Sequence, residues 1–332
     1  MNRLIIFLII LFTVIPLIFV SLFNKDEGFY ELYKAESDDN KWTNSVVFIA
    51  NDMQNKYTAV LASALREFLK NENLRLVIFD AEGSIKKQLY YLSKSLSRKD
   101  IKALIINPCH EEKLNSMIEK YYYKNIPVII VGKKIYKAPF DCYIGEDDIE
   151  IGFLQAEFVL EKFKNKRANI VILAGPENSV VSNQRLKGTL AVLYGFKNIK
   201  TIGILHTEGS YNSGYEEMRK FLKRTNLQVD AIIAHNDDIL LGALQALNEK
   251  KVHVVSIGAD ALPSTLEYIK EGKVTATIYN NNFDMAYQIF KVLMKLIKKE
   301  TVYSQIFIPS TIIEGKNVDR YINEVSFTYL AK

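Results

Sequence analysis

Val46-Val47-Phe48-Ile49-Ala50, running straight into Asn51-Asp52-Met53-Gln54-Asn55-Lys56-Tyr57-Thr58, is the stretch whose reading decides the fold. Five consecutive apolar residues predict a strand covered on both faces, the habit of parallel sheets rather than of half-exposed antiparallel ones. From Tyr57 to Lys70 the apolar positions Val60, Leu61, Ala64, Leu65 and Phe68 fall at helical spacing. The same alternation continues outward. Strands are expected at Leu74–Phe79, Ala103–Ile106 and Pro127–Val131, with helices at Ser84–Leu96 and Leu114–Tyr123. A second series opens with a helix over Ile151–Phe163. It continues with strands at Asn169–Leu173, Thr201–Leu205, Ala231–Ala234 and His253–Ile257, and with helices at Val180–Leu193, Gly214–Lys223 and Asp238–Asn248. Buried strands separated by helices mean α/β, and two such series mean two doubly wound parallel-sheet lobes.

Composition narrows the function classes. The chain has 332 residues, 48% hydrophobic and 24% charged, which excludes disorder and suggests about two domains at ~150 residues each. Two cysteines exclude a disulfide scaffold and a four-thiolate zinc site. The net charge of +5 comes from scattered lysines, without the concentrated basic patch that a nucleic-acid partner requires. Leu4 to Phe23 carries no charge and is long enough to cross a ~30 Å hydrocarbon core. Residues 1–23 are therefore expected to be a transmembrane anchor or uncleaved signal, with 24–44 as a polar linker. Arg3 before the run places the remainder outside the cytoplasm.

Ligands of open parallel sheets bind beyond the carboxyl ends of the strands. Here those loops hold amides, hydroxyls and aromatic residues, the set that suits a small polyhydroxylated molecule: hydroxyls pair with the polar groups while ring C–H faces pack on aromatics. Catalysis finds no such support. His110, His206, His235 and His253 lie in different segments, and no nucleophile elbow, Walker loop or dinucleotide fingerprint occurs. Glu146-Asp147-Asp148 precedes a helix, where acidic residues suit the dipole, so a cap is favoured over a metal. No enzyme, cofactor or metal is expected. His235 ends a strand and could border the cleft, whereas His253, inside its strand, is expected to be structural.

The opening stretch resembles the first strand and ligand loop of the type I periplasmic sugar-binding proteins, the ribose-binding branch. Similar segments follow in the same order: Ile105-Ile-Asn-Pro108, Asn125-Ile-Pro-Val-Ile129, Asp147-Asp-Ile-Glu-Ile-Gly152, Arg185-Leu-Lys-Gly188, Ala234-His-Asn-Asp-Asp-Ile-Leu-Leu-Gly-Ala-Leu244, Ile257-Gly-Ala-Asp260 and Gly272-Lys-Val-Thr-Ala-Thr-Ile278. The resemblance spans roughly residues 45–315. It implies two lobes joined by a three-crossing hinge, the first of residues 45–146 plus 281–309 and the second of 147–280 plus 310–332. Repressors that share this fold carry a DNA-binding head where this chain has its apolar run.

Carried over residue by residue, the resemblance implies ligand contacts at Asn55, Tyr57, Thr58, Lys133, Asn183, Tyr211, Asn236, Asp260 and Asn280. Asn183 stands where an arginine commonly meets the sugar, and Arg185 is expected to serve the adjoining helix. Gly132-Lys133 replaces the usual Asp-Arg pair, so a grip of charge-assisted bonds gives way to no side chain and a flexible ammonium. The implied function is extracytoplasmic capture of a monosaccharide or similar molecule, with closure signalling to a membrane partner such as a sensor kinase. The alternatives are the solute-capturing subunit of an ABC sugar importer, working with its permease, and a receptor for a non-sugar signal.

Overall fold

The computed structural model describes residues 44–322, apart from 111 and 165. The expected anchor at 1–23 and most of the linker lie outside the described residues. Among the described residues no helix is long and apolar enough to cross a membrane.

The chain first builds β1 (Ser45–Ala50), α1 (Lys56–Leu69), β2 (Arg75–Asp80), α2 (Ile85–Leu96), β3 (Ile101–Ile106), α3 (Asn115–Tyr123), β4 (Val128–Val131) and β5 (Cys142–Gly145). It then leaves for a second sheet through α4 (Asp148–Phe163), β6 (Ala168–Ala174), α5 (Val180–Leu193), β7 (Ile199–His206) and α6 (Tyr211–Arg224). This lobe continues with β8 (Ala231–Ala234), α7 (Asp237–Glu249), β9 (Val255–Ala259), α8 (Pro263–Lys270) and β10 (Ala276–Asn280). The chain returns with α9 (Asn282–Ile297) and β11 (Gln305–Phe307), and crosses once more to β12 (Ser310–Glu314). The sheets have the orders β11-β5-β4-β3-β1-β2 and β12-β10-β9-β8-β6-β7, so the second repeats the winding of the first. The pairings are parallel except β12, which runs antiparallel to β10.

Every residue of β1 is buried, as its unbroken apolar run requires. One face of that sheet packs on α1 and α9 through Phe48, Leu61, Leu65 and Ile289; the other packs on α2 and α3 through Ile49, Leu92 and Ile118. The second sheet is covered in the same way. Two differences from the sequence reading have physical reasons. β5 is four residues long and follows β4 without a helix, too brief for periodicity to show. β9 begins at Val255, which leaves His253 exposed ahead of the strand instead of inside it.

Two helix pairs of the second lobe meet backbone to backbone. A Cβ on Gly188 of α5 would lie 2.0 Å from the Ile149 carbonyl oxygen of α4, and one on Gly152 of α4 would lie 1.9 Å from that of Arg185. Gly242 of α7 faces the Tyr211 carbonyl of α6 at 2.0 Å, and Gly214 of α6 faces that of Ile239 at 2.4 Å. These contacts lock the first turns of α4 onto the middle of α5, and the first turns of α6 onto those of α7. Gly188→Ala or Gly242→Ala should push a helix off its partner and cost about 1–3 kcal/mol, as overpacking does. Thermal melting of each variant should show the midpoint falling by several degrees; an unchanged midpoint would mean the helices can part freely.

Candidate functional site: an interlobe cleft floored by shared charge

The chain passes between sheets three times, after β5, after β10 and after β11. Each exit is the carboxyl end of a strand, so the crossings turn the carboxyl edges of both sheets toward each other. The loops at those edges form the cleft walls.

Buried glutamines hold these loops. On the first lobe, Gln88 Nε2 donates to Asn107 O at 2.8 Å, while its Oε1 accepts from Cys109 N at 2.9 Å. On the second, Gln155 Nε2 donates to Ala234 O at 2.7 Å and Gly258 O at 2.9 Å, tying α4 to the ends of β8 and β9. Beyond β9, Asp260 and Ala261 take φ of 105° and 50°, a conformation costing about 1–3 kcal/mol for residues with a Cβ. The buried Asp237 holds it: Oδ1 accepts from Thr277 Oγ1 at 2.7 Å, and Oδ2 from Leu262 N at 2.9 Å. Gly258 leaves the room, since a Cβ there would stand 2.2 Å from Asp237 Oδ1. Burial, and the charge of Asp260 after it, push the Asp237 carboxyl well above its usual range.

The expected contact residues all fall on these edges, with different degrees of commitment elsewhere. Asn55 caps α1, accepting from Thr58 N at 3.4 Å, and Tyr57 is the second residue of that helix. Thr58 is buried. Lys133 follows β4, and its ammonium donates to Cys109 O at 3.5 Å. Asn183 lies in the first turn of α5, exposed, with Nδ2 on Glu177 O at 2.9 Å. Tyr211 opens α6 and is exposed. Asn236 caps α7, accepting from Ile239 N at 2.8 Å and donating to Gly209 O at 3.0 Å, so both ends of its amide are engaged. Asn280 donates to Ser310 Oγ at 2.9 Å and Ile308 O at 3.3 Å, bridging two of the crossings.

The sequence reading missed the group that ties these walls together. Arg185, expected only to serve the adjoining helix, sits in α5 with its side chain 7% exposed. Its Nε donates to Asp148 Oδ1 at 2.9 Å and Nη2 to Glu146 Oε2 at 3.3 Å. Nη1 donates to the His235 carbonyl and lies 3.9 Å from Asp260 Oδ1. One guanidinium thus answers three carboxylates, one on a crossing, one on α4 and one on the cleft wall. Within Glu146-Asp147-Asp148, Asp147 caps α4 as expected, accepting from Ile149 N at 3.1 Å, while its two neighbours turn to Arg185. The signal was Arg185 itself, an arginine on a helix otherwise apolar or neutral at its buried positions.

Burial outweighs pairing in this cluster. Loss of hydration raises the Glu146 carboxyl to about 7, against the opposing pull of Arg185. Asp148 moves upward for the same reasons. Asp260, its side chain 46% exposed, rises to about 6 through lost hydration against the opposing pull of Arg185, and the nearby Asp238 and Asp148 charges add to the effect. His235, whose position after a strand left a cleft border open, is buried at 3% exposure, its Nδ1 3.3 Å from both Gly175 N and Ser182 Oγ. Burial and Arg185 depress it to about 3, so it is neutral.

Beside the cleft, on the hinge side, lies a cavity of about 170 Å³ between the loop after β4, the Glu146–Ile149 segment and the first turn of α5. Of the expected contacts it takes in Lys133.

Comparison with known proteins agrees with this architecture. The family profile described as periplasmic binding protein domain matches residues 46–301. This chain belongs to the type I periplasmic sugar-binding protein family. Among its relatives, a ribose import binding protein of Bacillus subtilis (strain 168) is 22% identical over 74% of this chain and 79% of its own length. A solved arabinose-binding component of an ABC transporter from Shewanella sp. ANA-3 superposes with a TM-score of 0.77 at 20% identity, covering 86% of this chain and 97% of that one. The fructose-binding periplasmic domain of a hybrid two-component system superposes with 0.74 at 24%, covering 85% and 94%. These relatives are binding proteins.

Two outcomes follow from the charge cluster. Arg185→Met would leave Glu146 and Asp148 without their counter-charge, and should cost about 3–5 kcal/mol in urea unfolding at neutral pH, less in acid where the carboxyls protonate. Glu146 is raised above its unfolded value of 4.5, so the native state holds more protons between about pH 4.5 and 7, and stability falls as pH rises through that window. Glu146→Gln should remove this loss. Melting curves from pH 4 to 8 are expected to show the variant gaining on the wild type toward pH 8; parallel curves would refute the assignment.

Proposed function

We propose that the chain binds a small sugar-like ligand outside the cytoplasm, in the cleft between its lobes, and that closure over the ligand signals to a membrane partner such as a sensor kinase. The observation that carries the reading is the placement of amides at the carboxyl edges of both sheets, with a carboxylate and a phenol on the second, beside charges already joined by Arg185. A ligand held by both edges stabilises the closed arrangement because only there do both walls touch it. Asp260 is the strongest acceptor for ligand hydroxyls: it is exposed to the cleft and held by Asp237 in a conformation it would not adopt unaided. Asn55, Tyr57, Thr58, Lys133, Asn183, Tyr211, Asn236 and Asn280 are the other proposed contacts. Asn236 and Asn280 already serve as cap and bridge, so their proposed contribution is chiefly to wall geometry.

A second reading has its own support. The ribose import relative and the ABC transporter component favour solute capture for import, while the two-component domain and the uncharged run Leu4–Phe23 favour an anchored sensor. A neighbouring permease and ATPase gene pair would select import, and a neighbouring histidine kinase gene would select sensing.

Purified full-length protein should gain thermal stability with one or a few of a panel of pentoses, hexoses and polyols, by about 2.7 kcal/mol at a hundredfold excess over Kd. Asp260→Ala should abolish the gain. A flat response across the panel would remove the sugar reading, and a gain retained in the variant would move the site elsewhere.

A further inference from the structure

We propose that the hinge-side cavity is a second compartment of the ligand site, and that the ligand is a substituted or glycosidically linked sugar whose second unit sits there, between Tyr136 and Phe307. The inference rests on the sugar reading of the cleft and specifies its substrate class.

The cavity holds about 170 Å³, several times the ~30 Å³ share of one water in the liquid, so it admits a group of several non-hydrogen atoms. Its walls have the amphipathic make-up of a saccharide subsite. Tyr136 and Phe307 line it while remaining 52% and 41% exposed, large ring surfaces that the protein does not cover. Glu146 and Gln184 supply an acceptor and an amide beside them. Aromatic faces next to hydrogen-bonding groups match a ring with one C–H face and a rim of hydroxyls.

The compartment is formed rather than accidental. Its floor is held by Tyr143, whose hydroxyl donates to Gly132 O at 2.6 Å and whose ring meets Phe307 edge-on at 6.2 Å. The adjacent Gly145 must be glycine, since a Cβ there would stand 2.2 Å from that hydroxyl. It is also linked to the proposed ligand residues. Lys133, one of the expected contacts, lines it, and Glu146 on the cavity wall is joined to Asp260 through the shared Arg185. Both lobes build it: Gln184 Nε2 of the second lobe stands 3.4 Å from the Tyr136 hydroxyl of the first. A second unit lodged there would touch both lobes and add to the preference for closure, which a single ring in the cleft could not do from that side.

The test uses matched probes on the full-length protein: D-xylose with xylobiose, D-galactose with lactose and melibiose, and D-glucose with cellobiose and maltose, each titrated calorimetrically. For the sugar that the cleft accepts, a linked form should bind at least tenfold tighter than the free one. Val181→Trp, which projects into the cavity, should reduce that advantage to less than twofold, and Tyr136→Ala should reduce it in the same direction without any change of fold, since its ring is exposed. If free sugars bind and every linked form binds equally or more weakly, the cavity is not a subsite although the cleft reading stands. The same conclusion follows if both variants keep the wild-type ratio. If a sugar outside this set binds instead, its own glycosides become the matched probes; if the whole panel of pentoses, hexoses and polyols is silent, the sugar reading itself fails and takes this extension with it.

Discussion

The cleft depends on one guanidinium. Arg185 is a side chain of α5, yet its bonds run to a crossing segment, to the first turn of α4, to the strand end at His235 and toward the loop after β9. Each of those elements would otherwise bring charge or an unpaired carbonyl into a poorly hydrated space. Glu146, Asp148 and Asp260 could not converge there without a delocalised cation able to face several acceptors in one plane. The price is that the acids remain partly frustrated, with carboxyls raised by lost hydration in spite of the pairing. Such residual tension at a floor that both lobes share leaves room for a ligand's hydroxyls to improve the arrangement.

Around this centre the rest of the second lobe serves as a rigid mount. Glycine contacts press α4 to α5 and α6 to α7 until backbones touch, which sets the positions of Asp148 and Asn236 at their helix starts and of Arg185 within α5. Asp237, buried among Thr277, Leu262 and Gly258, holds the left-handed turn that presents Asp260. The hinge-side cavity continues the same logic on the first lobe, where Tyr143 supports Gly132 and Phe307. The three crossings give the two mounts one facing edge, so that wall chemistry and lobe motion are coupled by connectivity.

Much of the proposed site could be named in the sequence, while the contacts that its residues make could not. The loops after β1, β4, β8 and β9 were legible because strand ends carry ligands in this architecture, and those after β1, β8 and β9 also because their residues resemble a family pattern. Asn236 and Asn55 were equally legible as caps, and the structure shows that duty plainly. Glu146 and Arg185 lie 39 positions apart, and nothing in either neighbourhood announces the other. His235 looked like a cleft residue from its position after a strand, but the packing of Gly175 and Ser182 around it closes it off.

By itself the sequence determined the winding. Unbroken apolar runs and helical spacing are written within a dozen residues, so β1, β8 and α5 could be placed before any contact was known, and the order of runs dictated two lobes. Tertiary structure decided which groups share a space: the convergence of acids on Arg185, the burial of His235, the strained turn at Asp260, the four-residue β5 and the cavity beside the hinge. The reason is that hydration, charge pairing and void volume belong to neighbours brought together across the chain, and a linear pattern records neighbours only along it.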